Sequence, residues 1–353
     1  MRIFLLWEDF QKSGDKISRF SLLALGDVLK IAESLGLQVM PTLFCGHMSG
    51  VNWLPEWTLG TWRSGDRFPV YAGDRIVKAS PRNLYSDPAM VEAEKLFVQS
   101  VVEQVRAHPA LYGWDLGNEH SNLDIPASSE EVKTWNSVVC DWIRTIDPRH
   151  TVTNGIHTDD LEGRSPFRPQ DMAEGNDYLC MHGYPQYVGW SGGPLDTSFV
   201  PFLCRFTETV GKKPVLFEEF GMPCGRPEIC KKESTGTVKI LGEEDAAAYY
   251  QAALEGLHRA GALGAFPWCF ADYHRSLWEL PPFTVAPHER FFGLLREDGT
   301  VKPHGKVFQQ FAGQKRQIQS PGKLEVSRED YEKDPGATLR DMYRAARASA
   351  KLL

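Results

Sequence analysis

No stretch of the 353 residues reaches the run of about 18 apolar residues that a membrane-spanning helix requires, so no membrane partner is expected. The opening MRIFLLWEDF has an apolar patch too short for a signal peptide and meets acidic residues at once. As written, the chain reads as cytoplasmic, and as secreted only if the true N-terminus lies upstream. Basic charge is not in excess, with 39 Lys and Arg against 46 Asp and Glu and a net charge of −7. A protein that grips nucleic acid by its phosphates shows the opposite balance, which makes nucleic acid an unexpected partner. The seven cysteines (45, 140, 180, 204, 224, 230 and 269) are scattered, odd in number and include no CxxC pair. That argues against a disulfide framework and a structural zinc site, although Cys224 and Cys230 are close enough in one loop to pair. No glycine-rich phosphate loop follows the first apolar run, which disfavours a nucleotide-binding doubly wound sheet.

What is present is an ordinary globular composition, 42% apolar and 24% charged, with a heavy load of ten Trp and 11 Tyr. Short apolar or β-branched runs lie at Arg2–Leu6, Gln38–Phe44, Leu111–Leu116, Thr151–Asn154, Tyr178–Met181, Pro214–Phe217 and Gly264–Phe270. Helical periodicity fills the intervals at Leu22–Leu35, Met90–Ala107, Glu130–Ile146, Phe199–Val210 and Ala246–Ala260. Ser129 precedes an acidic first turn, and Gly242-Glu243-Glu244-Asp245 places acids where the helix dipole favours them. Repeated strand–helix units predict a parallel sheet covered by helices, and seven strands with crossover helices fit an α/β, (β/α)8 TIM barrel best. The chain opens directly on a strand, so the first βα unit is expected to be missing, which would expose two strand edges and an apolar face. Lys323–Val326 is the one short candidate to fill the gap. Residues 1–314 read as the barrel and 315–353 as a charged helical or disordered tail.

In such barrels the chemistry collects where strands end and βα loops begin. Those positions hold Trp7, Glu8 and Asp9, then His47, then Gly117-Asn118-Glu119-His120. Further on they hold His182 and Tyr184, the pair Glu218-Glu219, and Trp268. Each has a plain alternative: Asn118-Glu119 suits any helix start, Glu218-Glu219 any solvated strand end, His182 or Trp268 any core. Their coincidence at successive strand ends favours glycoside hydrolysis. That reaction needs one carboxyl group to protonate the leaving oxygen and another to attack or stabilise the sugar's developing cation. A metal-dependent hydrolase would want more strand-end histidines than His47 and His182, so no metal and no cofactor are expected.

Over about residues 1–312 the chain resembles the retaining glycoside hydrolases of clan A, most closely family 5, the cellulase and β-mannanase family. The matching stretches are GWDLGNEHSN, YLCMHGYPQY, KPVLFEEFGMP, GAFPWCFADY and RFFGLLREDGTVKPHG. The resemblance implies Glu119 as general acid/base and Glu219 as nucleophile, since the family places its nucleophile directly before an aromatic-Gly. It further implies that Asn118 binds the sugar 2-OH, that Tyr184 of the His182-x-Tyr184 motif holds the nucleophile, and that Trp268 floors the reacting sugar. Arg2 matches an arginine that contacts the nucleophile, and His47 a strand-ending histidine. One departure is His120, which stands where members usually have Pro.

The long segment from Cys45 to Pro88, with Trp53, Trp57, Trp62 and Tyr71, reads as a cleft wall offering sugar-stacking platforms, with Pro223–Gly242 capping the other side. The expected substrate is an oligo- or polysaccharide, best guessed as β-1,4-mannan or a related β-linked glycan. The alternatives are an exo-acting glucosidase, mannosidase or galactosidase, and a catalytically impaired carbohydrate-binding barrel. Oligomeric state is not legible.

Overall fold

Seven short strands carry the architecture, each close to an apolar run of the sequence: β1 (Arg2–Leu6), β2 (Met40–Cys45), β3 (Gly113–Asn118), β4 (Thr151–Gly155), β5 (Leu179–His182), β6 (Val215–Phe220) and β7 (Gly264–Pro267). They come from a computed structural model, which describes residues 1–234, 238–322 and 324–349. The chain divides into two compact units, Met1–Ile156 with Arg164–Leu179, and His157–Gly163 with Cys180–Leu353. Among the described residues no helix is long and apolar enough to cross a membrane.

The first unit is built on the sheet β1-β2-β3-β4, whose pairs are all parallel. Every residue of β2 and β3 is buried, as expected of strands covered on both faces. β1 is an edge strand of its sheet and leaves Ile3, Phe4 and Leu6 half-exposed. Helices α1 (Arg19–Ser34), α2 (Pro88–Val105) and α3 (Ser129–Ile146) alternate with these strands. In α3 the buried residues Val132, Trp135, Asn136, Val139, Cys140 and Ile143 recur at helical spacing and form one face. Its cap is Ser128 and not Ser129: the Ser128 hydroxyl accepts from the Glu131 amide at 3.2 Å. Of two adjacent serines, the one in extended backbone closes the helix. Asp87 caps α2 in the same way, with Pro88 in the first turn where no amide is missed. On α1 the side chains of Phe20, Leu23, Val28 and Ile31 are exposed.

The segment from Cys45 to Pro88 folds on itself as a small four-stranded sheet and a two-stranded pair. Trp57 anchors it, donating its indole N–H to the Gln11 carbonyl at 2.8 Å and meeting Trp7 edge-on at 5.3 Å. A stacking role for Trp57 is therefore replaced by a structural one. Trp62 remains exposed, with the Lys78 ammonium 4.1 Å from its ring centre.

The second unit holds the sheet order β5-β6-β7, with β6 and β7 parallel. Helices α4 (Phe199–Gly211), α5 (Glu243–Arg259) and α6 (Pro303–Ala312) accompany it. In α5 the acids Glu243, Glu244 and Asp245 open the first turn and His258 and Arg259 close the last, each complementing the helix dipole. Toward the C-terminus α7 (Arg328–Lys333) and α8 (Pro335–Ser349) follow. Tyr343 of α8 packs between Trp190, Phe199 and Phe202, and Tyr331 of α7 packs on Phe206 and donates to the Leu161 carbonyl. Each aromatic pair adds about 0.5–1.5 kcal/mol beyond its buried area. Of the proposed gap-filling strand, 324–326 take no strand structure among the described residues, and Lys323 lies outside them. Cys224 and Cys230 are free thiols. Cys224 is sealed against the His304 ring, and burial pushes its thiol up to about 12.

Candidate active site

In the first unit, β3 delivers Asn118 and Glu119 to its C-terminal end. Glu119 adopts the left-handed conformation, φ 49°, and starts the one-turn helix His120–Leu123. A non-glycine residue in that region costs about 1–3 kcal/mol and marks a position held by its surroundings. Here the Glu119 amide donates to the Gly155 carbonyl at the end of β4, at 3.1 Å. The carboxyl is half-buried, and its Oε2 accepts from Asn122 Nδ2 at 2.7 Å.

The two residues before it explain the local sequence. A Cβ on Gly117 would lie 2.1 Å from the His120 ring, so only glycine allows that ring to pack against the strand. His120 stacks on Phe167 and meets Trp135 and Tyr85 edge-on. Burial lowers its pKa to about 3, so the imidazole is neutral, and in place of the usual Pro it serves as a core aromatic.

Asn118 is buried and donates Nδ2 to the His47 carbonyl at 2.7 Å. A carbonyl only accepts, so the amide orientation is fixed and Oδ1 points away, with no hydrogen-bond partner among the described residues. His47 is buried after β2, its Nδ1 2.9 Å from Asn52 Oδ1 and its ring against Phe68. Arg2 donates to Asp115 Oδ2 through Nε at 3.1 Å and Nη2 at 2.8 Å, while the Thr42 hydroxyl donates to the same oxygen at 2.5 Å. Asp115 is the residue that strand-end reasoning missed. An acid inside the apolar run GWDLGN was the available signal, because a buried carboxylate demands a cationic partner. Trp53 is half-buried, with its indole N–H committed to the Met48 carbonyl and its ring on Tyr71.

In the second unit, β6 ends in Glu218 and Glu219. Strict alternation would send neighbours to opposite sides of the sheet. The pairing with β7, however, slips between Phe217 and Phe220, a bulge that re-aims the two side chains. His182, fully buried at the end of β5, consequently approaches both, with Nε2 3.1 Å from Glu218 Oε2 and Nδ1 4.0 Å from Glu219 Oε2. The Glu218 side chain is sealed, whereas that of Glu219 keeps 10% of its surface open. Tyr184 donates its hydroxyl to Glu219 Oε1.

The backbone of Trp268 is held to β6 by its amide, which donates to the Phe220 carbonyl at 2.8 Å. Its indole N–H donates to Glu289 Oε2 at 3.1 Å, and the other Glu289 oxygen accepts from the Tyr187 hydroxyl at 3.1 Å. Glu289 was not legible as a site residue, since it lies in a short 3-10 helix about twenty residues beyond Trp268.

The arrangement therefore groups Arg2, His47, Asn118 and Glu119 in the first unit, and His182, Tyr184, Glu219 and Trp268 in the second. Comparison with known proteins adds the context. The profile of the family described as GH family 5 beta-mannosidase-like matches residues 97–279. A mannan endo-1,4-β-mannosidase of Aspergillus clavatus is 26% identical over 168 residues, 43% of this chain and 38% of that one. One from Podospora anserina is 27% identical over 42% of this chain and 41% of its own. The chain thus spans about two fifths of the length of these curated relatives. Among solved structures, a GH5_18 protein of Streptomyces cattleya in complex with Manβ1-4GlcNAc superposes over 99% of this chain and 83% of its own, at 20% identity and a TM-score of 0.76. An exo-β-1,4-mannosidase of an Opitutaceae bacterium does so over 99% and 61%, at 23% identity and a TM-score of 0.73. These likenesses establish the fold class, the α/β barrel type of family 5.

Proposed function

Because the chain belongs to glycoside hydrolase family 5, in its β-mannosidase-like branch, we propose that it hydrolyses β-mannosidic linkages with retention of configuration. The observation that carries this reading is the setting of Glu219. It is a carboxylate near the end of β6, held by the Tyr184 hydroxyl and approached by His182, while its neighbour Glu218 is sealed. Glu219 attacks the anomeric carbon as the bond to the glycosidic oxygen breaks, and that oxygen keeps the electron pair and takes the proton of Glu119. Water then gives a proton to Glu119, attacks the same carbon and frees the Glu219 carboxylate. Retention requires the two carboxyl groups about 5–5.5 Å apart. Asn118, directly before Glu119, is the residue assigned to bind the sugar 2-OH, an interaction that strengthens in the transition state. Trp268 supplies an apolar platform for a pyranose face.

The glycan is a β-1,4-linked mannoside, in keeping with the mannan-cleaving relatives. Removal of single mannosyl units from a chain end is the second reading, favoured by the family's β-mannosidase description and the exo-acting structural neighbour. Incubation with linear β-1,4-mannan, mannopentaose, Manβ1-4GlcNAc and an aryl β-mannoside decides between them. Mannose as the sole product identifies end-trimming, mixed oligosaccharides identify internal cleavage, and inertness on all four overturns the proposal.

A further inference from the structure

We propose that Asn122 is a positioning residue for the acid/base carboxyl, selecting Glu119 Oε1 as the oxygen that carries and delivers the proton. The inference rests on the assignment of Glu119 made above. Asn122 lies in the one-turn helix that Glu119 opens, and its backbone amide donates to the Glu119 carbonyl at 2.8 Å. Its side chain spans two groups: Nδ2 donates to Glu119 Oε2 at 2.7 Å, and Oδ1 accepts from Arg67 Nη1 at 3.2 Å. A guanidinium only donates, so the Arg67 contact fixes which end of the amide is oxygen and which end meets the carboxyl. The backbone carbonyl of Asn122 accepts from Asn52 Nδ2 at 3.2 Å, and Asn52 in turn meets His47. The Cys45–Pro88 segment thus grips Asn122 at two points through Asn52 and Arg67.

The chemical consequence follows from the Asn122 contact. The N–H that Asn122 donates occupies a lone pair of Oε2, which favours the proton on Oε1 in the neutral acid. When the glycosidic bond breaks, that proton passes from Oε1 to the departing oxygen while Oε2 stays on Asn122. In the second step Oε1 takes the proton of the attacking water. Without Asn122 the carboxyl is freer to turn about its last torsion, and the productive orientation is populated less.

A substrate that needs the acid reveals this, and a substrate that does not is the control. In Asn122→Ala, kcat on phenyl β-mannoside and on mannobiose is expected to fall about 10- to 100-fold. On 2,4-dinitrophenyl β-mannoside, whose leaving group departs without a proton, the first chemical step falls less than about threefold. Arg67→Ala, at an exposed position, shows the same split at about threefold. Equal losses on both substrate types, or no loss on either, overturn the inference. Glu119→Ala is the reference. If it lacks the split, the acid/base assignment itself falls; if it shows the split and Asn122→Ala does not, only the role of Asn122 falls.

Discussion

Replacing Arg2 by Met removes the positive partner of a carboxylate that has no access to water. The side chains of Arg2 and Asp115 are 6% and 0% exposed, and two guanidinium nitrogens reach one carboxylate oxygen at 3.1 and 2.8 Å. The Thr42 hydroxyl and the Gly117 amide, at 2.5 and 3.2 Å, still donate to Asp115 in the variant, but they bring no charge. Breaking one side of a buried ion pair costs about 3–5 kcal/mol, most of it the stranded charge. With about 2.1 cal/mol/K of unfolding entropy per residue, a chain of 353 residues loses about 4–7 °C in Tm. Scanning calorimetry on Arg2→Met, Asp115→Leu and the double variant measures the terms separately. The double variant removes both charges and should recover to within about 1 kcal/mol of the parent. If Arg2→Met costs less than about 1 kcal/mol, or the double variant is no better than the worse single, the claim that Arg2 exists to neutralise Asp115 is wrong.

Two further outcomes are expected. Burial pushes the Asp124 carboxyl up to about 6 against the pull of Arg63, which lies 2.6 Å away. Between its ordinary value and about 6 the folded state therefore binds more protons than the unfolded one. Stability should fall by about 2–3 kcal/mol as the pH rises through that window, and Asp124→Asn should flatten the curve. Urea titrations at pH 4, 5, 6 and 7 test this, and an unchanged slope in the variant contradicts it. Tyr184→Phe removes one charge-assisted hydrogen bond to Glu219, about 1.5–3 kcal/mol, so kcat/KM on an aryl β-mannoside should drop about 10- to 150-fold. A value within threefold of the parent rejects Tyr184 as the holder of the nucleophile.

Much of this was readable in advance because apolar runs and helical periodicity report burial directly. β1 matches its run to the residue, and the remaining strands start or stop within a few positions. Strand ends named Asn118, Glu119, His182, Tyr184 and Glu219 because loops after parallel strands gather polar groups. What escaped depends on contacts distant in sequence or on one-residue geometry. Asp115 needed Arg2, more than a hundred positions earlier, before its burial made sense. The bulge that brings Glu218 and Glu219 both within reach of His182 breaks the alternation that pattern-reading assumes. Glu289 sits in a short 3-10 helix and Asn122 in a single α-helical turn, where no period marks them.

The assignment of Glu219 is tested most directly by trapping. Incubation with 2-deoxy-2-fluoro-β-mannosyl fluoride, followed by peptide mapping by mass spectrometry, should place one fluoromannosyl group on Glu219 and none on Glu218. A label on Glu218 or elsewhere, or turnover with inverted anomeric configuration and no label, contradicts the account.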